Sequence, residues 1–151
     1  MGCRTRRVMI PTGDRTREKL LILSPGGEGS GAGRTGVLWI HGGGYVTGMA
    51  EMVYLSRARA LVKRYGAVVV SPAYRLAGRA PYPAALMDCH YALLYLREHT
   101  EELGVRSDQI MVGGESAGGG LAAALLAWKR LPLMVCVLAA IGADFLLYLL
   151  S

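Results

Sequence analysis

The stretch Gly114-Glu115-Ser116-Ala117-Gly118 reads G-x-S-x-G and lies between two segments of different character. Gln109 to Gly113 is short and mostly apolar, the pattern of a buried strand. Gly119 to Lys129 is rich in Ala and Leu, the pattern of a helix. A chain that passes from strand to helix in so few residues must hold its central residue in strained dihedrals. It also brings neighbouring backbone so close that only very small residues fit at the flanks. Glycine at 114 and 118 meets that demand, and the hydroxyl of Ser116 is left projecting above the end of the sheet. The first turn of the following helix, with its unpaired N–H groups, then favours negative charge beside that hydroxyl. The same five residues would also suit an ordinary helix N-cap serine after a glycine turn. The pentapeptide alone does not choose between these readings, and the surrounding chain must.

Upstream, Val8-Met9-Ile10 and Leu20-Leu21-Ile22-Leu23 read as two short strands joined by the Pro11 to Asp14 turn. Pro25 to Gly36 holds six glycines and reads as a surface loop. Val37-Leu38-Trp39-Ile40 is a continuous apolar run, the mark of a strand covered on both faces. It runs straight into His41-Gly42-Gly43-Gly44-Tyr45, where successive glycines let the backbone turn sharply and present N–H groups. This is either a plain glycine turn or one half of an oxyanion hole, with the N–H of Ala117 as the other half.

Between Glu51 and Tyr65 the residues Leu55, Ala58, Leu61, Val62 and Tyr65 recur at helical spacing and are expected to face the core, with Gly66 ending the helix. Ala67 to Val70 reads as another buried strand. Pro83 suits the first turn of a helix whose inner face is Leu86, Cys89, His90, Leu93 and Leu96 and which ends near Gly104. Alternation of strands and helices predicts an α/β fold: a mostly parallel sheet with right-handed crossovers and helices on both faces. Ligands in such sheets sit beyond the carboxyl ends of the strands, where both His41 to Gly44 and Ser116 fall.

The 151 residues are one domain's worth, read here as 1–36 (strands and loop), 37–130 (core) and 131–151 (apolar tail). Hydrophobic residues at 52% against charged residues at 19% make a disordered chain untenable. The net charge of +6 owes much to the six basic residues between Arg4 and Lys19. The remaining cations are scattered, so no nucleic-acid partner is expected. Cys3, Cys89 and Cys136 are odd in number and widely spaced, which indicates neither a disulfide framework nor a zinc site and suggests a cytoplasmic location. The start carries no apolar signal-peptide segment.

Taken together, His41-Gly42-Gly43-Gly44-Tyr45, then Tyr74-Arg75-Leu76-Ala77 with Pro83-Ala84-Ala85-Leu86 and Asp88, then Gly114 to Gly119, resemble the hormone-sensitive-lipase-like branch of the α/β-hydrolases. The resemblance covers roughly residues 35 to 128, with the three blocks in the family's order. It implies a serine carboxylesterase or lipase acting on small acyl esters with no metal or organic cofactor. It makes Ser116 the nucleophile and Gly43, Gly44 and Ala117 the oxyanion donors. His41, Gly42, Tyr45, Gly114, Glu115 and Gly118 are then motif residues, and Arg75 and Asp88 structural ones.

In this fold an acid and then a histidine follow the serine. Here Ser116 is followed by a single acid, Asp144, and the three histidines, His41, His90 and His99, all precede it. His41 is expected to shape the glycine loop, His90 to lie in the core and His99 to favour a helix C-terminus. Leu131 to Leu150 carries Asp144 as its one charge. Leu133 to Leu138 reads as a strand, and Pro132 and Asp144 argue against a bilayer span. The expectation is therefore a truncated α/β-hydrolase that lacks its triad acid and base and self-associates through an exposed sheet edge. The alternative is an inactive domain that binds ligands through the same cleft.

Overall fold

The computed structural model describes residues 2–26 and 33–129. The tail after Lys129, with Asp144 and the expected strand at 133–138, lies outside the described residues, as does 27–32 of the glycine-rich loop.

Five strands form one mixed sheet in the order β1 (Cys3–Pro11), β2 (Arg17–Pro25), β4 (Val68–Pro72), β3 (Arg34–Ile40) and β5 (Val105–Gly114). β1 and β2 form an antiparallel hairpin, and β2 also runs antiparallel to β4. β4, β3 and β5 are mutually parallel, as continuous apolar runs covered on both faces require. The hairpin strands run to nine residues each, longer than their apolar centres suggest, because pairing along an edge carries the polar flanks with it.

Period-two alternation divides the core. Leu20 and Ile22 of β2, with Leu38, Ile40, Val68 and Val70, face α2 (Ala84–Glu98) and α4 (Ala117–Lys129). Leu21 and Leu23, with Val37, Trp39 and Val69, face α1 (Arg57–Tyr65) and a 3-10 turn over Ala50–Tyr54. Helices thus cover both faces. A short α3 (Thr100–Leu103) extends the α2 segment to Gly104, which closes it in the left-handed region at φ +65.

The segment before β4 corrects one expectation. Leu55 and Tyr65 were read as core-facing, yet they are 94% and 76% exposed, and only Ala58 and Val62 of the helix are fully buried. Helix α1 begins at Arg57, capped by Ser56, whose Oγ accepts from the Ala58 N–H at 3.2 Å. Leu55 sits in the break between the 3-10 turn and the helix, so the helical phase does not extend to it. Tyr65 lies on the last turn, where the chain leaves at Gly66. His90 is likewise only half-buried, with its ring edge-on to Trp128 at 5.7 Å between centroids. No helix of the described residues is long and apolar enough to cross a membrane.

Candidate active site

The parallel pairing of β3 and β5 ends at Ile40 opposite Gly114, so the two glycine-rich turns leave the sheet side by side. The Glu115 N–H donates to the Ile40 carbonyl at 3.2 Å and ties the turns together at their roots. Ser116 follows at φ +53, a conformation uncommon for a residue with a side chain, and it is exposed. The flanking glycines are sterically required. A Cβ at Gly114 would lie 2.5 Å from the Gly118 carbonyl, and one at Gly118 would lie 2.1 Å from the Ile40 oxygen. Gly118 and Gly119 donate to the Glu115 and Ser116 carbonyls, both at 2.9 Å, which starts α4.

The turn after β3 packs directly on this elbow. A Cβ at Gly42 would lie 2.9 Å from the Glu115 oxygen and 3.3 Å from the Ser116 Cβ. Gly43 (φ +124), Gly44 (φ +62) and Tyr45 (φ +66) are all in the left-handed region. The Gly43 carbonyl accepts from the N–H groups of Val46 at 3.2 Å and Thr47 at 3.0 Å, and from Thr47 Oγ1 at 3.0 Å. That closed turn leaves the N–H groups of Gly43 and Gly44 without an acceptor among the described residues. The N–H of Ala117, at the head of α4, also lacks one. Three free donors and an exposed hydroxyl therefore occupy the carboxyl edge of the sheet, an arrangement able to hold a polarised carbonyl oxygen.

His41 supports the loop from below. It is 2% exposed, its ring stacks on Tyr74 at 4.2 Å, and its Nδ1–H donates to the Gly42 carbonyl at 2.7 Å. Burial pushes its pKa below the ordinary histidine value, so the ring is neutral at neutral pH. The Tyr74 hydroxyl donates to the His41 carbonyl at 3.0 Å. Tyr74 is held in turn by its neighbour. The Arg75 backbone N–H and Nε each donate to Asp88 Oδ2 at 2.9 Å, Nη2 donates to Asp88 Oδ1 at 2.8 Å, and Nη1 reaches Asp14. The Glu115 carboxylate accepts from the Arg57 N–H at 3.4 Å, which places an anion at the N-terminus of α1.

The two glycine turns singled out from the sequence thus abut, with His41 behind them, while Arg75 and Asp88 pair with each other. His99, by contrast, stacks on Tyr95 at 4.0 Å and bonds its carbonyl through Nδ1 at 2.9 Å, at the end of α2. Two supporting residues escaped notice. Gly48 (φ +106) passes so near His41 that a Cβ would lie 2.7 Å from Nδ1. Tyr74 was quoted as part of a motif without its role as the platform for His41. A lone glycine in a loop carries no signal of what it passes, and stacking between residues 33 positions apart is invisible to spacing.

The alpha/beta hydrolase fold family matches residues 37–142. An AB hydrolase superfamily protein of Schizosaccharomyces pombe is 41% identical over 104 residues, which make up 69% of this chain and 30% of that protein. The hormone-sensitive lipase of Ictidomys tridecemlineatus is 34% identical over 105 residues, 68% of this chain and 13% of the lipase. Among solved structures, a bacterial heroin esterase superposes with a TM-score of 0.79 at 36% identity, covering 85% of this chain and 40% of the esterase. The chain therefore spans less than half the length of each of these relatives. It belongs to the α/β-hydrolase fold family, and esterases and hormone-sensitive lipases are among its relatives.

Proposed function

We propose that this chain carries the nucleophile and the oxyanion donors of a serine ester hydrolase acting on small acyl esters. The Ser116 oxygen attacks the ester carbonyl, and the tetrahedral oxyanion is received by the N–H groups of Gly43, Gly44 and Ala117. Each such donor is worth about 100- to 1000-fold in rate. Glycine is needed at 43 and 44 because their N–H groups must point at one spot from left-handed backbone. Ala117 contributes from the first turn of α4, where the helix dipole adds to the field.

The observation that supports this reading is the close approach of Gly42 to the Glu115 carbonyl and the Ser116 Cβ, which brings the two glycine turns together. Removing the general base of such a triad costs on the order of a million-fold in kcat. The sequence has histidines at 41, 90 and 99 alone, and His41 already gives its Nδ1–H to a carbonyl in the core. With His90 and His99 packed on aromatic rings as well, the described residues taken by themselves favour a second reading, a cleft that binds esters without turning them over. A fluorophosphonate probe distinguishes the two. We expect slow labelling that Ser116→Ala abolishes, and a parent chain that takes up no label would support binding alone.

A further inference from the structure

The loop that carries the free donors continues into a surface of another kind. In the 3-10 turn over Ala50–Tyr54, side chains three residues apart line up in rows. One row, Ala50 and Val53, is fully buried against the sheet. A second, Glu51 and Tyr54, is partly buried, and Lys19 Nζ donates to Glu51 Oε1 at 2.5 Å. The third, Met49, Met52 and Leu55, faces solvent, with Leu55 almost wholly exposed. Val46, three residues earlier, is 64% exposed as well. A single exposed apolar side chain is ordinary, but four of them at one spacing form a patch. The charge beside it is one-sided. From Val46 to Tyr65 the chain has one acid, Glu51, which Lys19 already holds, and four bases, Arg57, Arg59, Lys63 and Arg64. Arg59 and Lys63 lie one turn apart on α1, and both act electrostatically on the Cys3 thiol, which sets them on the side of the helix toward β1. Arg7 of β1 acts on Glu51 from that same side. All three cations are exposed.

We propose that this face docks on an anionic lipid surface, with the apolar row entering the headgroup region and Arg7, Arg59 and Lys63 meeting the lipid phosphates and carboxylates. Charge complementarity selects the occupant. A second copy would bring the same cations face to face, whereas an anionic bilayer attracts every one of them. The form of the row points the same way. Side chains that stand out singly enter a headgroup layer without a matching pocket, while a protein partner would need one shaped for each. Apolar insertion and basic attraction are both modest by themselves, and together they supply the two signals that lasting attachment to a membrane takes. The Arg57 N–H donates to the Glu115 carboxylate, so this face adjoins the elbow, and docking would turn the carboxyl edge of the sheet toward the lipid. The assignment stands whether or not Ser116 acts as a nucleophile.

The test is flotation of the full 151-residue chain with two kinds of vesicle, phosphatidylcholine alone and an equal mixture of phosphatidylcholine and phosphatidylserine. The mixed vesicles are expected to bind at least about tenfold tighter, with the difference shrinking as salt is raised. Met49→Gln with Leu55→Gln, neutral changes at exposed positions, should weaken binding to both kinds by at least about tenfold. Arg59→Gln with Lys63→Gln should weaken binding to the mixed vesicles alone, by about 30-fold. Arg106→Gln, an exposed cation on β5 at the far edge of the sheet, should leave both unchanged. Circular dichroism confirms that each variant keeps its fold. No flotation, equal affinity for the two kinds of vesicle, or binding that either double variant leaves intact, as attachment through the apolar tail would, overturns the proposal. So does a Met49/Leu55 variant that loses its growth of apparent mass with concentration yet floats like the parent, because the row is then a contact between copies. Fluorophosphonate labelling is read separately. Label without flotation rejects the lipid surface and keeps the nucleophile, whereas flotation without label does the reverse.

Discussion

Ser116 stands at φ +53, a conformation that costs a residue with a side chain about 1–3 kcal/mol. The elbow holds it there because glycines on either side let β3 and α4 approach to contact distance. Two substitutions separate crowding from dihedral strain. Alanine at a helical position normally stabilises by up to about 1 kcal/mol relative to glycine. At Gly118 its Cβ would meet the Ile40 oxygen at 2.1 Å, so we expect Gly118→Ala to destabilise by on the order of 3 kcal/mol. Gly44 has φ +62 and open space around it, so Gly44→Ala should cost only about 1–2 kcal/mol. Urea midpoints of the two variants read the difference, and equal costs would contradict the packing account.

Among the elements, the supports under the glycine loop come from strands and helices that never touch a ligand. Tyr74, just past β4, stacks on His41 and donates to its carbonyl, so Tyr74→Phe should keep the stack and lose about 1 kcal/mol of stability. The variant should also loosen the loop, seen as faster amide exchange at Gly43 and Gly44. Strand β2 contributes a different feature. Glu18 is 4% exposed, and neither of its carboxyl oxygens has a partner among the described residues. Burial first, and the nearby Asp88 second, push its pKa up to about 9, with Arg75 opposing. An acid raised in this way is neutral in the fold at pH 7 but ionised in the unfolded chain. Its contribution to stability is therefore greatest below the unfolded value of 4.5 and declines as pH rises toward 9. Glu18→Gln removes that decline. Its advantage over the parent should grow between about pH 5 and 9 by up to about 1.4 kcal/mol per pH unit. Thermal unfolding across that range checks it, and a constant difference would show that Glu18 does not titrate as described.

At the scale of the whole molecule, the described sheet has two unlike edges. β1 carries Arg4, Arg6 and Arg7 along its length, and charged side chains discourage edge-to-edge pairing. β5 ends the order on the other side, and its Ile110-Met111-Val112 centre offers no such charge. We expect the chain to associate with itself through β5, with an apparent mass in gel filtration that grows with concentration. A monomer at every concentration would argue against it.

Much of this could be read before any coordinates. Val37 to Ile40 and the Gly114 to Gly118 turn announced buried strands ending in glycine, because local sterics and apolar periodicity act over a few residues. The same reasoning placed α2 and its inner face apart from His90, which is only half-buried. It failed at Leu55 and Tyr65, where helical spacing ran past a real helix start and a real helix end. It also missed Glu18, because a carboxyl inside a hairpin leaves no pattern in composition. The sequence by itself determined which residues could turn sharply, which runs had to be covered on both faces, and where a hydroxyl would be raised. Only the tertiary structure decided that the two turns abut, through the Ile40–Gly114 register. Only the assembled chain also brought Tyr74 under His41 and set Tyr45 against Gly120. Those are contacts between residues 33 to 75 positions apart, and they depend on how strands pair rather than on what any one segment prefers.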